Sequence, residues 1–273
     1  MILSTLKCSL FFTIYTIGIF IIFGVIYRFI EKKNSFYIQS VFGFNGILFT
    51  GIIGTPLHEL GHYIMCLIFN HKVTRVELFR PSACKIDGVL GFVSHSYNKN
   101  SLYQQIGNFF IGIAPLIFGS LTLILSFKIL LPDMFLTLNI YKSINLINQN
   151  NVEVFFTYLY KTLLLLSNEL FNFSNLLNFK FWIFLFLSSS ITTHMSLSKK
   201  DLQNSISGIV SIFLVSFGLC IVSDLLNINL LSFQSFLLKY NLYLASILIL
   251  GLLFALITLL ISYTFYFIKR KNI

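Results

Sequence analysis

His58-Glu59-Leu60-Gly61-His62 stands inside an apolar run, Val41 to Phe69, that is long enough to cross a bilayer. Two histidines at i and i+4 lie on one face of a helix, one turn apart, so both rings can reach a single ion. Glu59 lies beside them, where it can take a proton from a water activated by that ion. A chain of this composition produces HExxH by chance on the order of once in several hundred sequences. The bland alternative is a pair of packed core histidines with an incidental glutamate. It is the weaker one, because an ionisable cluster in an apolar segment is costly unless it is used.

Around this stretch the composition is that of an integral membrane protein: 56% of the 273 residues are hydrophobic and only 10% are charged. The formal charge of +10 comes from 19 basic against 9 acidic residues. The bases sit beside the apolar runs and do not cluster on one folded face. They therefore read as topology signals toward an anionic leaflet, and a nucleic-acid partner is not expected. Cys8, Cys66, Cys84 and Cys220 are scattered without a CxxC pair, so no disulfide framework is indicated.

The first apolar run, Ser9 to Tyr27, has no small-residue cleavage site and is followed by Arg28-Phe29-Ile30-Glu31-Lys32-Lys33, as in a retained span. The motif run is interrupted by Gly43, Gly46, Gly51, Gly54 and Pro56. Either Thr55 caps a fresh helix with Pro56 in its first turn, or Pro56 kinks a longer one. Lys72 to Gln105 is polar. Val73–Leu78 alternates, Asp87-Gly88 can turn, and Val89–Tyr97 is strand-like again, which predicts a hairpin.

Ile106–Leu131, Phe181–Thr193, Ile206–Leu226 and Leu242–Ile268 complete six expected spans, and Phe155–Leu166 reads as an interfacial or re-entrant piece. The expectation is one domain, 1–273: an all-α polytopic membrane protein with about six transmembrane helices and a small β-hairpin or sheet insertion at the cytoplasmic face. Lys269-Arg270-Lys271 assigns the C-terminus to the cytoplasm. Lys199-Lys200 and the Lys72–Lys99 segment follow on that side, while Arg28–Lys33 falls on the opposite one, against the rule.

A zinc hydrolase needs three protein ligands and one open position for water. His58 and His62 supply two. Cys66 continues the stripe, but eight helical residues separate it from His58 by about 12 Å, too far for one ion, so it reads as a packing residue. Asp201 and His194 are the candidates for the third ligand, with His95, Asp87 and Asp224 behind them. Asp201 has a competing role, since Ser198-x-x-Asp201 ahead of an apolar run is a capping-box pattern. His71 reads as a cap at the end of the motif helix.

An HExxH in the second of six spans, then a surface hairpin, then Asn108 and Pro115 in the next span, resembles the site-2 protease family of intramembrane zinc metalloproteases. The resemblance runs from about Gly51 to Gly208. It implies a zinc endopeptidase in which His58, His62 and a later aspartate bind Zn2+. Glu59 would be the catalytic base, a strand would clamp the unwound substrate, and Asn108 and Pro115 would position it. The family's Leu-Asp-Gly motif for the third ligand is absent; Asp201 matches it in position only. The implied partners are lipid and a membrane protein or peptide substrate. The implied setting is a bacterial cell membrane, with a multi-pass chain whose active site faces the cytoplasm. A non-catalytic membrane binding protein that keeps the metal site is the alternative, and an ion-coupled transporter a third possibility.

Overall fold

The computed structural model describes residues 2–138 and 172–271, with 157, 160, 161, 164, 165, 167 and 168 between them. The expected piece Phe155–Leu166 lies largely outside these described residues. In chain order the elements are α1 (Ile2–Ile68), β1 (Lys72–Glu77), α2 (Cys84–Asp87), β2 (Phe92–Ser96), α3 (Leu102–Leu130), α4 (Pro132–Leu138), α5 (Phe173–Leu176), α6 (Phe179–Thr192), α7 (Lys199–Leu226) and α8 (Leu231–Lys271).

Helix α1 is broken at Gly43, whose φ of 64° and ψ of −157° suit a residue without a Cβ, so it forms two segments, 2–42 and 44–68. The Lys269 ammonium donates to the Ser40 and Val41 carbonyls (2.9 and 3.0 Å), placing a positive charge at the end of the first segment. The second segment runs through Pro56 without a fresh start, so Thr55 is not an N-cap. One turn before Pro56, the Ser190 hydroxyl accepts from Gly54 N–H (3.2 Å) and donates to the Thr50 carbonyl (2.6 Å). Ser190 thus ties α6 to the backbone of the motif helix.

The first segment of α1 runs parallel to α8. Asn241 Nδ2 donates to the Tyr15 carbonyl (2.6 Å), Tyr27 to the Leu248 carbonyl (2.9 Å), and Lys269 closes the pair. Arg28–Lys33 therefore lies beside α8 between the levels of Leu248 and Tyr263, ahead of the Lys269–Lys271 end. Helix α3 runs antiparallel to the second segment of α1, with Tyr103 donating to the Ile68 carbonyl (2.6 Å).

Helices α6 and α7 follow α3 in one continuous descent. Phe184 stacks on Phe127 at 4.9 Å, Met195 packs at Gly119, the Asp201 carbonyl at Gly112, Gly208 against Phe109, and Ser211 donates to Gln105 at 3.0 Å. They are therefore two pieces of one run, interrupted at residues 193–198, and not two spans in opposite directions. Among the described residues four helices, α1, α3, α7 and α8, are long and apolar enough to cross a membrane. The expected count of six is not reproduced. Helix α6 has 14 residues, about 21 Å, short of the roughly 30 Å hydrocarbon layer.

The expected hairpin is present. β1 pairs antiparallel with β2, Val73 opposite His95 and Glu77 opposite Phe92, with an irregularity between Val73 and Arg75. At its tip Arg80 bonds Glu77 (2.6 Å) and Asp87 (2.9 Å), and Gly88 makes the turn at φ 72°. The Val89 N–H, joined by Arg80, holds the Asp87 carboxyl below the usual carboxylate range.

A Cβ at Gly54 would overlap the Ser190 carbonyl and the His194 ring, whereas one at Gly218 would meet open space. Gly54→Val should therefore cost about 1–3 kcal/mol by overpacking. Gly218→Ala should be neutral or gain up to about 1 kcal/mol of helix propensity. Thermal unfolding in detergent reads both, and equal Tm values would contradict this packing.

Candidate metal centre

A histidine that offers Nε2 to an ion needs a partner for its Nδ1 hydrogen, and inside a helix every carbonyl already has an N–H. The chain opens two carbonyls at the right places. Pro115 has no N–H, so the Ile111 carbonyl, four residues before it, loses its helical donor. That carbonyl accepts His62 Nδ1–H at 2.7 Å. The other lies in the interruption between α6 and α7, where the His194 carbonyl accepts His58 Nδ1–H, also at 2.7 Å.

With both Nδ1 hydrogens so assigned, both Nε2 atoms carry lone pairs. They face each other at 3.1 Å. Two lone pairs at that separation repel unless a cation lies between them. Asp201 Oδ1 is 3.5 Å from His62 Nε2, and the ligand atoms of His58, His62 and Asp201 all lie within 4.8 Å of one another. Two neutral imidazoles and one carboxylate are a fitting donor set for zinc.

Asp201 is placed so that one carboxylate can fill both roles its sequence context set against each other. Its Oδ2 accepts from Ser198 N–H (2.7 Å) while Ser198 Oγ accepts from Asp201 N–H (3.1 Å), a complete capping box. The other oxygen, Oδ1, is left for the histidines. His194 contributes its carbonyl and not its ring. Its Nδ1 is 3.4 Å from Thr55 Oγ1, and its Nε2 is buried without a hydrogen-bond partner. The remaining candidates are placed elsewhere: Asp87 at the hairpin tip, Asp224 beside Thr5 (2.7 Å), and His95 against His71 (3.0 Å).

Glu59 is 7% exposed and lies within electrostatic reach of His58 and Asp201. The backbone of Gly91, just ahead of β2, passes over its Cγ. Leu90 and Phe79, from the segment joining the strands, reach Gly51, so this segment roofs the motif helix. Asn108 donates to Ser207 Oγ at 2.9 Å and keeps Oδ1 buried and unpaired. Sequence reasoning passed over Glu31, which accepts a hydrogen bond from Ser196 in the interruption and lies within reach of His58. Within a basic stretch it carried no signal of this contact.

Pro115→Ala returns an N–H to the Ile111 carbonyl in competition with His62. Zinc affinity, read by chelator competition, should fall about 10–100-fold, the usual loss for a partner that orients a ligand, while the fold persists. Unchanged affinity would rule out that role. The two oxygens of Asp201 separate in variants as well. Ser198→Ala should cost about 1 kcal/mol of stability and keep the metal. Asp201→Asn should keep most of the cap and lose the metal, and His194→Ala should retain it. Metal analysis with thermal unfolding decides. No family model matches the chain, and no curated protein or solved structure matches it either.

Proposed function

We propose that the chain is a membrane-embedded zinc endopeptidase that hydrolyses a peptide bond within or next to the bilayer, in the manner of the site-2 proteases it resembles. The observation that carries this reading is the pair of facing Nε2 atoms, 3.1 Å apart with both Nδ1 hydrogens given to carbonyls, beside a carboxylate oxygen and a buried glutamate. Zinc bound there would supply Lewis acidity, lowering the pKa of a water to about 7 and polarising a carbonyl.

In this reading His58, His62 and Asp201 hold the cation, and Glu59 accepts the proton of the attacking water and passes it to the leaving amine. Gly91 leads from above Glu59 directly into β2. An extended substrate pairing with a strand edge would thus be delivered to the site through main-chain hydrogen bonds. Asn108 Oδ1 is an acceptor left over for that substrate. Pro115, which the resemblance casts as substrate-positioning, also leaves the Ile111 carbonyl open to His62.

The helices that carry the site support a multi-pass topology. The two segments of α1, with α3 and α8, are passages, and α6–α7 is one discontinuous passage whose interruption lines the site, as irregular backbone at membrane depth requires. The end of α8 that carries Lys269–Lys271 is the cytoplasmic one by the positive-inside rule. Glu31, in a basic stretch and against Ser196, adds a polar group beside His58.

Glu59→Gln tests the mechanism. The variant should keep its fold and zinc while cleavage of a membrane-protein substrate in proteoliposomes falls by at least the 10²–10⁴-fold typical of lost proton transfer. An undiminished rate would end the protease reading. Substrate capture without cleavage by the unmodified chain would favour a non-catalytic membrane binding protein.

A further inference from the structure

The motif helix ends in a Schellman turn. Asn70 adopts φ 55°, its N–H bonds the Leu67 carbonyl (3.1 Å), and His71 N–H bonds the Cys66 carbonyl (2.8 Å). His71 therefore closes the helix with its backbone, not with its side chain as the sequence suggests, and the turn folds its ring back beside Cys66. His71 Nε2–H donates to the Gln104 carbonyl at 2.8 Å, an approach that Gly107 permits, since a Cβ there would strike Phe69 and crowd His71. That bond leaves the lone pair on Nδ1, which faces His95 Nδ1 at 3.0 Å. Cys66 is a free, fully buried cysteine, and the ligand atoms of Cys66, His71 and His95 lie within 4.8 Å of one another.

We propose that Cys66, His71 and His95 form a second metal site, for a borderline transition cation of the zinc type, one helical turn beyond His62. A thiolate with two imidazoles is a donor set such cations favour over Mg2+ or Ca2+. Tetrahedral coordination at zinc bond lengths puts ligand atoms about 3.3–3.7 Å apart, so the three groups need only small side-chain shifts to close on an ion. His71 already has the orienting carbonyl partner that metal-bound histidines have. His95 is half-buried on β2, which leaves the fourth position open to water. The site joins three parts of the chain: the end of the motif helix, the turn after it, and the strand whose leading residue passes over Glu59. Its role is to hold the hairpin on the motif helix, and it does not depend on the chain being a protease.

The competing account is a dry polar contact in which His95 hydrogen-bonds His71 and Tyr97 stacks on His71 at 5.2 Å. Cobalt(II) separates the two, because only a site containing cysteine gives a thiolate-to-cobalt charge-transfer band in the near ultraviolet. The full chain, purified in detergent and stripped of metal, is titrated with Co2+. About two equivalents per chain and a charge-transfer band are expected. The band should persist in the double variant His58→Ala, His62→Ala and in a variant with Cys8, Cys84 and Cys220 replaced by serine. It should vanish in Cys66→Ser and weaken at least tenfold in Co2+ affinity in His95→Asn. A titration of the unmodified chain that saturates without a thiolate band overturns the proposal, whether or not any variant folds. A band that survives Cys66→Ser overturns it too.

Discussion

The site depends on two carbonyls that each take a histidine Nδ1 hydrogen, and inside an α-helix a carbonyl is ordinarily engaged by its own N–H. An imidazole that is to offer Nε2 to a cation must give its Nδ1 hydrogen to an oxygen, or its tautomer and orientation are free to change. The chain meets this demand by two different devices. Pro115 withholds one N–H inside an otherwise regular helix, and α6–α7 is interrupted outright at 193–198. Both openings lie opposite the motif helix, at His62 and His58 respectively.

The interruption shapes the packing around it. Backbone that leaves the helical pattern inside the bundle needs protein around it, and residues 195–197 are buried. Met195 and Leu197 are each 1% exposed and belong to the central apolar cluster with Tyr27, Phe109 and Leu116. Met195 fills the space over Gly119, Leu197 presses on Gly24, and Ser196 donates to Glu31. Helix α7 can then begin with its capping box at Ser198. One carboxylate serves both the helix start and the histidine pair because a carboxylate has two oxygens. Small residues let the helices come close enough for this: Gly112 and Gly208 bring α3 and α7 into contact, and Gly54 admits the end of α6.

The polar groups follow one line along the motif helix. Glu31 and the interruption lie near His58, Asp201 near His62, and the Cys66–His71–His95 cluster at the helix end. Burial pushes the His71 and His95 imidazoles below the ordinary histidine range. The hairpin spans this line from the helix end to the roof over Glu59 and Gly51, so anything that fixes His95 on the helix also fixes the roof.

The sequence by itself determined the features that depend on local pattern. The i, i+4 spacing of His58 and His62, the apolar runs of a membrane protein, the hairpin between Lys72 and Gln105, and the capping box at Ser198 are all properties of short stretches. What depends on distant stretches meeting was decided by the tertiary structure. Apolar length cannot tell whether two runs oppose each other or continue in one direction, so α6 and α7 looked like two spans. The parallel pairing of the first segment of α1 with α8 was equally out of reach. Pro115 was visible as a helix irregularity, but its effect on His62 exists only because α3 lies against the motif helix at Ile111. Cys66 and His71 were judged singly, one as packing and the other as a cap, because the residue that brings them together, His95, is 24 positions beyond His71 and arrives by strand pairing.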